Sequence, residues 1–392
     1  MAGSRSRRPA VAWTAWATAL AGLVVFVVAI VVYRATMLPG VGAWDTAEAQ
    51  TVAPLLGTMH PTGFPAYVVS GFVANQLLAP FGEPAFRMNL YSGLLVASAS
   101  ALAVVVFVRL GAPALLAGAC GLAFALAPVA WHLGVSADAH SLHILLVVAV
   151  TLGLVTWERA ARAARAAPGD TDLRRRADRR IVLTAVVFGI AVANHALSLL
   201  LVPGIGLFVL AVDPGILRRP KLIVAALAAS IGTAALLYLQ LPLRAGPFRA
   251  PLVYGHPETL RGLIEIVFAR QFQGDFVGRD AGAIVQAFLE LAREQLGPLA
   301  YVVPVAFLVT AIRHPRYALY SGLAVVITCA FAATYANARI DRYYLGPLFF
   351  AWTWMAAAGG VLIARMLAAD GEERDAGQPA QARDDPEAEG PE

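Results

Sequence analysis

The chain has 392 residues, of which 59% are hydrophobic and only 14% are charged, and its formal net charge is +5. Soluble domains average about 45–50% apolar and about 25% charged residues, so this composition requires a lipid bilayer around much of the chain. A disulfide-stapled secreted fold is excluded, because the two cysteines, Cys120 and Cys329, both lie inside apolar runs. The basic residues lie between apolar runs rather than on one nucleic-acid-binding face, so they indicate membrane topology.

Ten apolar runs have the length, or nearly the length, needed to cross about 30 Å of hydrocarbon. In chain order they are residues 11–33, 85–108, 113–131, 141–157, 181–194, 196–212, 222–243, 298–312, 317–335 and 343–366. We interpret the first run as an anchor rather than a cleaved signal peptide, because it is longer than a typical signal-peptide core. The sequence therefore predicts an all-α polytopic membrane protein, a bundle of about ten transmembrane helices.

The fifth run, residues 181–194, is short for a complete span, and this leaves two topologies open. Either the chain turns at Asn194-His195 and comes back, or residues 181–212 form one helix. The arginine-rich loops favour the turn, because a single helix would place these loops on opposite sides of the membrane. The loops and both termini are then expected in the cytoplasm.

Three parts are predicted along the chain. Residues 1–10 form a basic cytoplasmic N-terminus, residues 11–366 form the transmembrane domain, and residues 367–392 form a disordered acidic cytoplasmic tail with few apolar residues. Two outer loops, about 34–84 and 244–297, are long enough to hold amphipathic helices and to build a site on the outer face.

Ionisable side chains cluster at the predicted outer ends of the helices. Charges near a bilayer are costly, so their shared depth indicates a functional site. A carboxylate can accept a proton from an attacking hydroxyl, and guanidinium groups bind phosphate through paired hydrogen bonds. This set suits transfer of a group from a membrane-anchored phosphate; its members are Asp45, Glu48, His60, Arg87, Asp138, His140, His195, Arg244, Arg339, Asp341 and Arg342.

Several blocks in a fixed order carry a family resemblance. They are Trp44-Asp45-Thr46-Ala47-Glu48, His60-Pro61-Thr62-Gly63, Phe86-Arg87-Met88-Asn89, Asn194-His195, Leu241-Pro242-Leu243-Arg244, Tyr254-Gly255-His256-Pro257-Glu258-Thr259 and Asp341-Arg342-Tyr343-Tyr344. The set resembles the GT-C superfamily of glycosyltransferases, and within it the membrane family of unknown function related to a eukaryotic transmembrane O-mannosyltransferase. The resemblance implies a GT-C-type bundle, no cofactor, and a sugar donor carried on polyprenyl phosphate. Thr62, Asp138 and His140 depart from the family pattern, which bears on substrate identity.

Each candidate residue has an expected role and a simpler alternative. The resemblance implies an acidic base in the first outer loop, which we assign to Asp45 with Glu48 in support, although this pair also fits a helix capping box. Arg342 and Arg244 are expected to bind the donor phosphate, unless they only extend to the membrane interface. The remaining substrate-binding candidates are His60, Tyr343, Asp138 and His195, of which His60 also fits a turn and His195 a backbone cap.

The predicted function is an inverting, metal-independent transfer of a hexose such as mannose to a hydroxyl on the outer face of a bacterial plasma membrane. The acceptor is a protein or a glycolipid, and no nucleic-acid partner is expected. A metal site is not predicted, because the sequence has no His-x-x-x-His pattern and no cysteine pair at ligand spacing. The single lysine, Lys221, among 30 basic residues is typical of a GC-rich bacterial genome. A transporter or lipid flippase is the alternative, but transporter sites lie near the midplane of the bilayer; a receptor or scaffold also fits the residues.

Overall fold

The computed structural model describes residues 7–276, 278, 280–335 and 339–376, and the secondary structure of these residues is helical. A helix pairs its backbone N–H and C=O groups within itself, and this is required in the bilayer core because lipid offers them no hydrogen-bond partners. The α-helices, in chain order, are α1 Arg7–Thr36, α2 Trp44–Val52, α3 Pro65–Leu77, α4 Pro84–Arg109, α5 Ala114–Ala125, α6 Pro128–Val135, α7 Ala139–Ala166, α8 Thr171–Asn194, α9 Val202–Val212, α10 Pro220–Tyr238, α11 Gln240–Ala245, α12 Leu260–Val267, α13 Ala281–Leu296, α14 Val303–Arg313, α15 Pro315–Thr334 and α16 Leu345–Ala376.

Six stretches of the described chain are long and apolar enough to cross a membrane, and the number rises to eight if each of two bent helix pairs is one span. The bends are 67° between α5 and α6 and 64° between the α13 and α14 segments. Each second helix has a proline in its first turn, where the missing N–H costs nothing. The predicted polytopic all-α architecture is confirmed, whereas the count of ten spans stays a prediction.

The chain breaks at His195, as the first of the two topologies requires. α8 ends at Asn194, His195 is extended with φ −155° and ψ 133°, and a 3₁₀ turn over Ala196–Leu201 leads into α9. α8 packs against α7 and α10, whereas α9 packs against α15. Residues 181–212 therefore form two helices with different packing partners and not one helix.

Ion pairs gather loops that were predicted to share the cytoplasmic face. Arg219, just before α10, lies 2.6 Å from Asp178 at the start of α8. Arg316, in the first turn of α15, lies 3.6 Å from Glu158 near the end of α7. A single membrane-crossing helix over residues 181–212 would hold Asp178 and Arg219 apart, so these contacts support the turn at His195.

The last helix extends beyond the last predicted apolar run. α16 continues to Ala376, past the domain end expected at residue 366, because a run of helix-forming Ala, Leu, Glu and Arg residues follows the apolar segment. The rest of the expected tail, residues 377–392, and the first six residues lie outside the described part of the chain. The disorder of the tail therefore stays a prediction.

Close helix packing places the start of α7 beside the first outer loop. α1 and α6 approach so closely that a Cβ on Gly134 would lie 2.6 Å from the ring of Tyr33. The Tyr33 hydroxyl donates a 2.6 Å hydrogen bond to the carbonyl of Ala125, where α5 ends. Tyr33 thus fixes the bend between α5 and α6, which leads the chain to Asp138.

We expect that the loop between α7 and α8 faces the cytoplasm and that the loop between α12 and α13 faces outward. In a background with Cys120 and Cys329 replaced by alanine, cysteine at Gly169 should resist a membrane-impermeant thiol reagent in intact cells. Cysteine at Gly274 should react. Both glycines are exposed, so access to the reagent depends on the side of the membrane, and labelling at Gly169 alone would invert the topology.

Candidate active site

A cavity of about 940 Å³ lies where the start of α2, the start of α7 and the chain before α16 meet. A volume of this size is enough for a small-molecule substrate. Seven of the eight residues expected in the site line this cavity, although they come from five separate segments. They are Asp45, Glu48, His60, Asp138, His195, Arg342 and Tyr343.

Arg342 joins two of the carboxylates. Its Nη2 donates to Oδ2 of Asp45 at 2.5 Å, and its Nη1 donates to Oδ2 of Asp138 at 2.7 Å. The Arg342 side chain is only 8% exposed. Because a buried cation is strongly unfavourable without a partner, the two carboxylates are what permits this arginine to lie here.

Asp138 is the more completely held of the two carboxylates. Its Oδ1 accepts hydrogen bonds of 2.8 Å from both the backbone N–H and the ring Nδ1 of His140 at the start of α7. Burial alone would raise the pKa of Asp138, but the charge of Arg342 and the contacts with His140 outweigh it and hold this pKa well below its usual range. Asp138 is therefore ionised at neutral pH, and it also caps α7.

The carboxylate of Glu48 binds His60 and does not cap a helix. Its carboxylate accepts the backbone N–H of His60 at 2.8 Å and also pairs with the His60 ring Nδ1. Burial lowers the pKa of His60, but the hydrogen bond and the charge of Glu48 more than compensate, so this pKa is raised. The residue before α2 is Ala43, and no side chain caps this helix, so the capping-box alternative for Asp45 and Glu48 is wrong.

Ligand atoms of Asp45, Glu48 and His60 lie within 4.8 Å of one another, a grouping that can hold a metal ion. Sequence reasoning predicted no metal site because it looked for ligands at short, regular spacing. Here the third group comes from a loop twelve residues beyond Glu48, and only the turn after α2 brings it back. The structure thus contains a possible cation site that the spacing rules miss.

Arg244 is the one expected site residue that does not line the cavity. Its Nε donates to the carbonyl of Leu56 at 2.9 Å and its Nη2 to the carbonyl of Leu55 at 3.4 Å. These carbonyls belong to the 3₁₀ turn after α2 and to the residue that follows it, so Arg244 holds this segment, and its contact with the donor phosphate stays a prediction. The sequence places Arg244 at a helix end but cannot show which way its side chain turns.

Hydrogen bonds join the two outer loops beside the cavity. The backbone N–H of Tyr254 donates to Oγ1 of Thr58 at 2.7 Å, and the N–H of Thr58 donates to the carbonyl of Leu252 at 3.2 Å. Gln240 adds a 2.6 Å bond to the carbonyl of Gly57. Together with Arg244, these bonds fasten the loop that carries Asp45 to the loop around Tyr254.

Two side-chain amides that were assigned no role from the sequence, those of Gln50 and Asn89, fix the position of α2. The Asn89 side chain is fully buried in α4; its Oδ1 accepts from Gln50 Nε2 at 2.8 Å and from the N–H of Ala137 at 2.9 Å. Its Nδ2 donates to the carbonyl of Leu38 at 2.8 Å. Asn89 therefore links Leu38 and Gln50 of the first outer loop to Ala137, the residue before Asp138. A buried Asn inside an apolar helix was the available signal, because such a side chain needs partners.

An aromatic wall forms the other side of the cavity. Tyr343 stacks on Tyr335 with ring centroids 5.9 Å apart, and Tyr335 stacks on Phe331 at 5.5 Å. Phe276 packs against both Phe331 and Tyr335. The cavity therefore has a charged side at Arg342 and an apolar side along these rings.

Sequence comparisons place the chain next to a known membrane family. Residues 45–214 match the family model of the Protein O-mannosyl-transferase TMEM260 N-terminal domain. The mouse (Mus musculus) Protein O-mannosyl-transferase TMEM260 is 27% identical over 260 residues, which cover 63% of this chain and 34% of that protein. The chain thus spans about a third of the length of this curated relative, and the resemblance to its family is confirmed.

Structural comparisons identify the fold. ArnT from Cupriavidus metallidurans bound to undecaprenyl phosphate aligns with a TM-score of 0.58 and 17% identity, covering 94% of this chain and 66% of ArnT. The apo oligosaccharyltransferase of Archaeoglobus fulgidus aligns with a TM-score of 0.52 and 15% identity, covering 92% of this chain and 52% of that one. The fold is therefore of the GT-C type, and the chain is an integral membrane protein.

Replacing Asp138 by Asn should test the buried pairing with Arg342. Asn still caps α7, but it removes a charge from a pair whose side chains are 8% and 9% exposed. Breaking such a pair costs about 3–5 kcal/mol, so the melting temperature in detergent should fall clearly at neutral pH. The loss should persist above about pH 4, the usual range for Asp, and should shrink as the pH falls through the depressed pKa of Asp138.

Asp341→Asn is the matched control, because the Asp341 side chain pairs with Arg339 while 37% exposed. An exposed pair contributes about 0–1 kcal/mol, so this variant should melt within a few degrees of the wild type. Equal melting of Asp138→Asn and wild type at neutral pH would show that Asp138 does not carry the stabilising charge.

Proposed function

We propose that the chain is a membrane glycosyltransferase that moves a hexose such as mannose from a polyprenyl-phosphate donor to a hydroxyl of a protein or glycolipid. The name of the mouse relative and the undecaprenyl phosphate bound to ArnT support the reaction class and the donor. The proposal places the reaction on the outer face of a bacterial plasma membrane. The observation that carries it is the guanidinium of Arg342, held between two carboxylates at the cavity.

The donor phosphate binds Arg342 by displacing one carboxylate. Asp138 is 9% exposed and is also held by His140, whereas the Asp45 side chain is 39% exposed. Asp45 is therefore the partner that gives way, and a phosphate takes its place on Nη2 because guanidinium binds phosphate as well as carboxylate. The apolar rings of Phe331, Tyr335 and Tyr343 offer a path for the prenyl chain.

Donor binding thus frees the base at the moment when it is needed. Asp45 accepts the proton of the acceptor hydroxyl, whose oxygen forms a bond to the anomeric carbon from the face opposite the phosphate. The bond from that carbon to the phosphate oxygen breaks, and polyprenyl phosphate leaves with the electron pair. Arg342 stabilises the charge of the leaving phosphate, and the configuration at the anomeric carbon is inverted.

The reaction proceeds without a metal ion in this proposal. The positive charge that a metal would bring to the phosphate is supplied by Arg342, which is always protonated. The other two potential ligands, Glu48 and His60, are paired with each other. Glu48 then acts in support, because it holds His60 and the turn after α2 beside Asp45.

Asp45→Asn is expected to lower single-turnover transfer from a polyprenyl-phosphate hexose by about 10²–10⁴-fold, the usual contribution of a general base. Its stability should fall by about 1 kcal/mol or less, because Arg342 keeps Asp138 and the lost pair is partly exposed. Transfer and detergent melting are both measured on purified protein.

Glu48→Gln is the control, since Gln keeps an oxygen that can accept the His60 N–H. We expect it to retain most of its activity. A nearly wild-type rate for Asp45→Asn with an inactive Glu48→Gln would make Glu48 the base, and two active variants would contradict a base in the first outer loop.

Chelation tests the absence of a metal. Transfer after treatment with excess EDTA and desalting should stay within about twofold of the untreated rate, because the charge at the phosphate comes from Arg342. A rate that collapses and returns with Mg²⁺ or Mn²⁺ would contradict this. In that case His60→Gln should weaken the restoration if the ion lies at Asp45, Glu48 and His60.

A further inference from the structure

Two imidazoles on the cavity wall lie outside the phosphate and proton-transfer roles. His140 and His195 both line the cavity, and their ring centroids are 4.5 Å apart. His140 is 3% exposed and His195 is 7% exposed. Each ring is fixed through Nδ1 by a different partner, and these partners define which ring nitrogen carries the hydrogen.

His140 presents a lone pair at Nε2. Its Nδ1 lies 2.8 Å from the Asp138 carboxylate, and an ionised carboxylate only accepts, so Nδ1 carries the hydrogen. Within the described part of the chain Nε2 has no hydrogen-bond partner and is buried. A second N–H there would be a buried donor without an acceptor, so the ring is neutral and Nε2 is an acceptor that awaits a donor.

His195 presents the opposite group. Its Nδ1 accepts the backbone N–H of Leu197 at 3.1 Å, which requires a lone pair on Nδ1. The hydrogen of the neutral ring is then on Nε2, which becomes a donor. The wall therefore offers one acceptor, at His140, and one donor, at His195, side by side.

Neighbouring residues hold both rings in place. Tyr343 stacks on the His140 ring with centroids 5.3 Å apart and an interplanar angle of 25°. Behind the two rings, His143 Nδ1 lies 3.4 Å from Oγ of Ser198, which donates to the carbonyl of Ala191 at 2.9 Å. His143 is buried, with 6% exposure, and is not part of the cavity lining. The pair on the wall is thus preorganised.

The chemistry of this pair selects its ligand. A hydroxyl both donates and accepts, so one sugar hydroxyl, or two adjacent ones, can satisfy both imidazoles. A phosphate dianion offers only acceptors and leaves His140 Nε2 unpaired, and a cation would be repelled by Arg342 close by, whose Nη1 shares Asp138 with His140. We propose that His140 and His195 form a binding site for a sugar hydroxyl and recognise the hydroxyl at one position of the transferred hexose. This proposal rests on the proposed function.

Asparagine variants isolate the two groups. His140→Asn keeps an N–H near Nδ1 for Asp138 but removes the acceptor at Nε2. His195→Asn keeps an oxygen near Nδ1 for the Leu197 N–H but removes the donor. His314→Asn is the control, because it makes the same change in a half-buried histidine just before α15, outside the cavity lining.

The measurement is kcat/KM for polyprenyl-phosphate mannose and for its analogues that each lack one sugar hydroxyl. A site built to bind a hydroxyl discriminates strongly against its absence, so kcat/KM of the wild type and of His314→Asn should fall at least about tenfold with one analogue. In His140→Asn or His195→Asn the same analogue should react within about twofold of the complete donor. Unchanged discrimination in both of these variants would overturn the inference while leaving the proposed function standing.

Nitrogen-15 NMR of histidine-labelled protein in detergent gives a readout independent of turnover. The free protein should show hydrogen on Nδ1 of His140 and on Nε2 of His195, and titration with polyprenyl-phosphate mannose should shift the Nε2 signal of His140. Those shifts without any transfer would refute the proposed function but support the sugar site. The opposite tautomers, or a donor that binds without shifting either ring, would overturn the site.

Discussion

The buried guanidinium of Arg342 is the interaction on which the site depends. It links residues that lie 297 and 204 positions away in the chain, in the first outer loop and at the start of α7. Removing a cation from water is costly unless opposite charges and hydrogen bonds replace the water. The three segments therefore have to meet, and the cavity forms where they do. The many apolar helices provide a scaffold, but this one cation decides which of their ends come together.

Three carboxylates share this region, and their surroundings give each a different character. Asp138 is buried and held by Arg342 and His140, so its charge serves the structure and orients an imidazole. Glu48 is engaged with His60. Among the residues that the structure describes, Asp45 pairs with Arg342 alone, and its side chain is the most exposed of the three, at 39% against 22% for Glu48 and 9% for Asp138. The three carboxylates therefore differ in role because their burial and their partners differ, although all three are acidic side chains.

The sequence was sufficient for the class of protein and for the charged and histidine side chains that line the cavity, because apolar runs and charges at helix ends are local signals. Asp45, Asp138 and Arg342 could be chosen for their charge at one predicted depth. The contact of Arg244 with the Leu56 carbonyl could not be predicted, since a guanidinium at a helix end has the same sequence signature whether it binds a carbonyl or a phosphate. The roles of Asn89 and of the Asp45, Glu48 and His60 cluster were missed because they arise from contacts between segments. The bend before Pro128 depends on packing around Tyr33, which spacing does not encode.

The hydrogen bonds between the two outer loops have a mechanical and evolutionary consequence. Thr58, Gly57 and Leu56 are fastened to Tyr254, Gln240 and Arg244, so the loop bearing Asp45 and the loop after α11 form one body. Neither loop can be reshaped for a new partner molecule without tilting the other. A change in what the two loops recognise would therefore also shift the carboxylate of Asp45. Over evolution, substitutions in one loop should be accompanied by compensating substitutions in the other.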